Sequence, residues 1–192
     1  MKKKLLSILL CLVMVVGLLP TAAFAAGYVE INEANFPDAN FRSYVQTEFD
    51  KDGDNKLSSA EIAAVKEIIA YAKGIKNLKG IEFFTVLETL NCVQCELTEL
   101  DVSENTNLTI LRCESNHLAE LDVSQNSKLE RLYCRNNMLA VLDVSKNSKL
   151  ARIDCGKNGL TSLNLDQNEK IEYVNLNDYQ FANKGTLPAG VF

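Results

Sequence analysis

Histidine occurs once in this chain of 192 residues, tryptophan not at all, and proline three times. One histidine, His117, cannot supply the paired imidazoles that most zinc centres use, and the only C-x-x-C string is Cys92-Val93-Gln94-Cys95. No stretch of lysine and arginine stands out beyond Lys2 to Lys4, and the formal net charge is −5. Nucleic acid is therefore a poor partner, since binding to phosphate needs a basic surface. Apolar runs are short as well. The longest, Leu5 to Leu19, is less than the about 20 residues a spanning helix requires.

That apolar run follows three lysines and precedes Ala23-Phe24-Ala25, a small-x-small cleavage pattern. Residues 1–25 thus read as a secretory signal, and no membrane span is expected after its removal. The segment carries three lysines and no acids, so the remaining chain has a net charge of −8. Cys11 lies inside the apolar run, which argues against a lipoprotein box. Five cysteines remain, in a compartment where disulfides form.

What the chain has in abundance is repetition. From Leu87 to Lys170 run four copies of a 21-residue unit: LETLNCVQCELTELDVSENTN, LTILRCESNHLAELDVSQNSK, LERLYCRNNMLAVLDVSKNSK and LARIDCGKNGLTSLNLDQNEK. One unit has too few apolar positions to bury itself, so a fixed short period calls for stacking. The Leu, Cys and Val positions become buried ladders. The units resemble leucine-rich repeats, specifically the short bacterial class with Cys in the third ladder position. That resemblance implies a parallel sheet of L-x-x-L-x-C segments on one side and L-x-x-L-D-V-S segments opposite.

Upstream, Val65, Ile68, Ala70, Ile75, Leu78, Ile81 and Phe84 follow a period of 22, which matches internalin-like repeats and predicts a first, atypical coil. Downstream, IEYVNLNDYQF opens a partial fifth unit, and the tail after it contains Leu-Pro-Ala-Gly rather than the L-P-x-T-G sorting signal.

Between the signal and the repeats lies Asp50-Lys51-Asp52-Gly53-Asp54-Asn55-Lys56-Leu57-Ser58-Ser59-Ala60-Glu61. Acids at positions 1, 3, 5 and 12 and Ser at position 9 make an EF-hand calcium loop. The candidate metal ligands are Asp50, Asp52, Asp54, the carbonyl of Lys56, Ser58 and Glu61. Asn55 replaces the usual Gly at position 6, and Asn tolerates left-handed backbone best among other residues. Before the loop, Phe36-Pro37-Asp38 predicts a helix start with Pro in the first turn, and Phe41, Val45 and Phe49 give one apolar face. After it, Ser58 and Glu61 form a capping box, with Ile62 and Val65 inward. This outgoing helix is expected to cover the open end of the coils. No second loop is present, so the two-loop dockerin family does not match. A lone secreted site belongs to the weak class, with Kd on the order of 10⁻⁴ to 10⁻³ M.

The expected architecture is α/β. A helix-loop-helix calcium module (26–64) caps a solenoid (65–181), divided into a first repeat (65–86), four regular repeats (87–170) and a partial repeat (171–181), with a tail (182–192). The combination resembles secreted or surface proteins of Gram-positive bacteria.

Cys92, Cys113, Cys134 and Cys155 occupy one inward position and read as packed thiols, because stacked strands sit about 4.8 Å apart while disulfides prefer Cβ atoms near about 3.8 Å. Outward positions of the strands bring Arg112, Arg131, Tyr133, Arg152 and Tyr173 onto one face, a composition typical of binding hot spots. The expected role is a non-enzymatic, calcium-binding interaction module for a protein or glycan. Alternatives are the N-terminal part of a larger surface adhesin or enzyme, and a thiol-redox protein using Cys92 and Cys95.

Overall fold

A computed structural model describes residues 27–176 of the chain. The expected signal segment 1–25, residues 177–181 of the partial repeat and the tail 182–192 lie outside the described residues. Strand β1 (Tyr28–Glu30) comes first, then helix α1 (Ala39–Glu48), strand β2 (Lys56–Ser58) and helix α2 (Ser59–Ala64). Helix α1 starts at Ala39, past the Pro37 expected in its first turn. Asp38 is its N-cap and accepts the Phe41 N–H at 2.8 Å, which leaves Pro37 outside the first turn. A carboxylate that satisfies an orphan N–H is the stronger start signal of the two. Helix α2 opens with the predicted capping box between Ser58 and Glu61, and ends after six residues as Val65 turns extended.

The sheet then builds coil by coil from β3 (Glu67–Ile69), β4 (Thr89–Asn91), β5 (Ile110–Arg112), β6 (Arg131–Tyr133), β7 (Arg152–Asp154) and β8 (Tyr173–Asn175). All neighbours are parallel and consecutive. Glu67 pairs with Thr89, 22 residues on, whereas Thr89 pairs with Ile110 and every later partner lies 21 residues on. The two periods in the sequence are thus the lengths of the coils. Only the first coil carries a 3-10 turn opposite the sheet, Ile81–Phe83, and in the later coils the L-x-x-L-D-V-S segments are turn-like among the described residues.

Three strand residues per coil cannot pair the backbone of the other 18. Two asparagine ladders do much of the rest. On the far side, the Asn126 amide donates to Val102 O and Asn105 O, both at 3.0 Å, and Asn105, Asn147 and Asn168 repeat the arrangement. Just after the strands, Asn116 donates to Cys92 O and Cys113 O, both at 2.9 Å, while its own oxygen accepts the Cys95 and Leu97 N–H groups. Asn137 and Asn158 donate in the same way, and their oxygens accept the Leu118 and Leu139 N–H groups. The bend before this second ladder places Ala72, Gln94, Ser115, Asn136 and Lys157 at φ between 52° and 58°. Five residues, none of them glycine, accept left-handed backbone because the coils on either side dictate the turn.

The end of the stack is covered by the incoming helix and its lead-in rather than by α2, which is too short to reach across. Phe36 meets Phe83 with ring centroids 5.7 Å apart, and Phe49 meets Phe84 at 5.3 Å. Gly80, at φ 106°, lets this happen. A Cβ there would collide with the Phe36 ring and come within 2.7 Å of Asn35 O. Polar ties follow the same seam. Asp38 accepts the Lys76 N–H at 2.9 Å, Asn40 donates to Gly74 O at 2.8 Å, and the Tyr44 hydroxyl accepts the Ile69 N–H at 3.1 Å. Buried apolar side chains run without a break from Val29 to Ile171.

Substitution of one buried asparagine tests the ladder. Asn126→Ala is expected to destabilise the fold by about 2 kcal/mol, the cost of orphaned carbonyls. Asn126→Asp, nearly isosteric, should cost more, roughly 3–5 kcal/mol, because a carboxylate would face two carbonyl oxygens. Urea unfolding of both variants checks the order.

Candidate functional site

Two places gather functional side chains. The first is the loop between α1 and α2. Carboxylate oxygens of Asp50, Asp52 and Asp54 all lie within 4.8 Å of one another. Asp50 is only 8% exposed and is held by three backbone donors: Gly53 N at 2.8 Å, Asp54 N at 3.2 Å and Asn55 N at 3.0 Å. Asp54 accepts Lys56 N at 2.8 Å. The chain turns sharply at Gly53 (φ 75°) and Asn55 (φ 62°), so Asn does adopt the geometry usually assigned to glycine at position 6. Gly53 at position 4 is a second left-handed residue, which sequence reasoning did not single out.

Glu61 reaches both ends of the loop, accepting Lys51 N at 2.7 Å, Ser58 N at 2.8 Å and the Ser58 hydroxyl at 2.7 Å. Burial acts to raise the Glu61 carboxyl, but the hydrogen bonds from Ser58, Lys51 and Asp52 outweigh it and hold the group below its ordinary value. Six sequence-predicted ligands therefore fall into two groups. The three Asp converge, and Ser58 and Glu61 bind each other, with Lys56 on the strand between. The donors are all oxygen, as a hard cation requires.

The lone loop has a structural partner after all. β2, centred on Leu57, pairs antiparallel with β1, with Val29 opposite Leu57.

The second place is the outward sheet face. Register sets two rows: Glu67, Thr89, Ile110, Arg131, Arg152 and Tyr173, and beside it Ile69, Asn91, Arg112, Tyr133, Asp154 and Asn175. All five predicted face residues are on it. Arg112 differs from the others in being committed. It pairs with Glu114 at 2.9 Å and lies 5.3 Å over the Tyr133 ring.

The five cysteines of the described residues form no disulfide and are buried. Burial pushes the Cys95 thiol up to about 11 and Cys155 to about 12, and lifts Cys92, Cys113 and Cys134 well above the ordinary value. Cys95 stands in the asparagine position of its coil, and its Sγ is 3.2 Å from Ala70 O. Because the first coil is one residue longer, Ala70 O is the counterpart of Cys92 O, the carbonyl that Asn116 takes. The thiol does the work of an amide donor.

The chain matches no family model. Internalin J of Listeria monocytogenes is 38% identical over 71 residues, 37% of this chain and 8% of that protein. The solved functional domain of that internalin, described as including a cysteine ladder, superposes with a TM-score of 0.72 at 35% identity, over 78% of this chain and 33% of that one. The fold is a leucine-rich-repeat solenoid similar to that solved internalin domain. The internalin InlF of Listeria monocytogenes shares the fold at 17% identity and a TM-score of 0.62, over 78% of this chain and 52% of that one. The chain thus spans a minor part of internalin J. Among the described residues no helix is long and apolar enough to cross a membrane.

Buried thiols should react slowly. Thiol reagents are expected to label Cys92 and Cys95 only after denaturation, and rapid modification of both in the native protein would restore the thiol-exchange reading. Since the folded values lie above the unfolded one, stability is complete below about pH 8.5, the ordinary thiol value. It should fall as pH rises from there toward about 11 and 12, the Cys95 and Cys155 values, which unfolding curves at stepped pH would record.

Proposed function

We propose that the chain is a secreted, calcium-binding interaction module without enzymatic activity, and that the sheet face takes a protein or glycan. The Arg and Tyr side chains set in register on the exposed face are the observation that carries the binding role. Internalin-like architecture supports a surface or extracellular setting, as does the signal-like segment at residues 1–25.

Ca²⁺ is the ion suited to the loop. Asp50, Asp52 and Asp54 would hold it, with Lys56, Ser58 and Glu61 closing the shell. The bound cation would neutralise crowded carboxylates. Before any ion binds, the chain's own donors align them: three N–H groups fix Asp50, and Lys51 and Ser58 fix Glu61. Because α1 is tied to the first coil through Asp38, Asn40 and Tyr44, ion binding stabilises the stack as well as the loop. The role is a staple rather than a switch.

Calorimetric titration of residues 26–192 with Ca²⁺, beside Glu61→Gln, tests the metal. Heat of binding is expected for the first and a clear loss for the second, and equal heats would remove Glu61 from the site. With Kd of about 10⁻³ M, 10 mM Ca²⁺ should add about 1.4 kcal/mol to stability, in one transition that covers loop and coils together.

Retention on columns of host mucus or bacterial wall material tests the face. The Tyr133→Ala/Tyr173→Ala variant should elute several-fold earlier than the parent, as loss of aromatic anchors predicts. Equal retention would reject the sheet face as the binding surface.

A further inference from the structure

The charges of the sheet face are used unequally. Arg112 is taken up by Glu114 and the Tyr133 ring. Arg131 and Arg152 are direct partners across β6 and β7, so their backbones sit about 4.8 Å apart. Both are exposed, and among the described residues neither belongs to an ion pair. Like charges directly opposite each other weaken a strand pair. Packing does not ask for them, since the same row carries Thr89 and Ile110 in the two preceding strands.

Their surroundings narrow what they could meet. Tyr173 continues the row at 44% exposed, and Tyr133 stands next to Arg131. Glu130 and Glu172 lie exposed at the strand starts, and the whole chain is acidic. This field repels a polyanion such as nucleic acid or a sulfated polysaccharide, but leaves room for a single short-range charge. At the other end the same face turns apolar, with Ile69 45% exposed and Ile110 half-buried. A polypeptide supplies apolar side chains and an isolated acid on one strand, which a carboxylated sugar does not.

We infer that Arg131 and Arg152 seat one Asp or Glu side chain of a polypeptide partner laid along the sheet face, flanked by Tyr133 and Tyr173. The inference rests on the proposed binding face. A carboxylate placed between two guanidinium forks accepts a charge-assisted hydrogen bond from each and relieves their repulsion.

A random-peptide display library selected on the immobilised intact protein tests this. Selected peptides are expected to share one acidic position. Changing that acid to its amide should weaken binding about tenfold or more, the worth of charge-assisted hydrogen bonds. Against Arg131→Gln/Arg152→Gln the same change should have no effect. That variant should melt no lower than the parent, because the arginines repel each other. Peptides that depend on Tyr133 and Tyr173 but on no acidic residue would overturn the carboxylate seat and leave the binding face standing. Failure to select any peptide sensitive to Tyr133→Ala/Tyr173→Ala would overturn the carboxylate seat and the polypeptide occupant, and loss of Tyr-dependent retention on the columns as well would overturn the face itself. A fall in melting temperature of several degrees for the double arginine variant would assign the pair to structure instead.

Discussion

A coil that is mostly turn must find hydrogen-bond partners for its backbone outside itself, and here it finds them one coil away. The two asparagine ladders carry this burden. The Asn116-type amides bridge a carbonyl of their own coil and one of the preceding coil, and the Asn126-type amides bridge two carbonyls of the preceding coil, all in the interior, where an unpaired carbonyl costs most. The leucine ladders supply the driving force for stacking, but a leucine tolerates small shifts of register. An amide that must reach two carbonyls at 2.9–3.0 Å does not. Register throughout the stack therefore depends on asparagine, and everything displayed on the sheet inherits it.

Stacking leaves an open end, and the N-terminal module closes it. The closure is aromatic at its centre, through Phe36, Phe41, Phe49, Phe83 and Phe84, and hydrogen-bonded at its rim. Asp38 serves both sides of the seam, capping α1 with one oxygen and holding the first coil with the other. The acidic loop forms its small sheet with the chain's own lead-in strand.

The same register that aligns leucine with leucine aligns whatever faces outward. Buried thiols and exposed arginines are in this sense one phenomenon. Identical spacing puts Cys92, Cys113, Cys134 and Cys155 in a file inside and Arg131 beside Arg152 outside. Inside, burial raises the thiols and keeps them protonated. Outside, no packing requirement selects the residue type, so the side chains there are free to answer to a partner.

Much of this was legible in the residues. The 21-residue period predicted the coils, the inward cysteines and the row of outward arginines and tyrosines, and the 22-residue spacing before it predicted the longer first coil, because spacing in a stack is geometry. The capping box at Ser58 and Glu61 was legible for a similar reason, being local. Contacts between segments far apart in sequence were not. Nothing in Tyr28–Glu30 marks it as the partner of Lys56–Ser58, and nothing in Phe36 marks Gly80 as its seat. The row of left-handed residues at Ala72, Gln94, Ser115, Asn136 and Lys157 carries no glycine to announce it, since the neighbouring coils impose the turn from outside. The three-dimensional arrangement also decided which arginine was already engaged, as Arg112 bends to Glu114 while Arg131 and Arg152 do not. A sequence determines which positions recur, because a repeat is a length. Which recurring side chains are satisfied, and which are left for something else, depends on distances that only the folded chain brings into being.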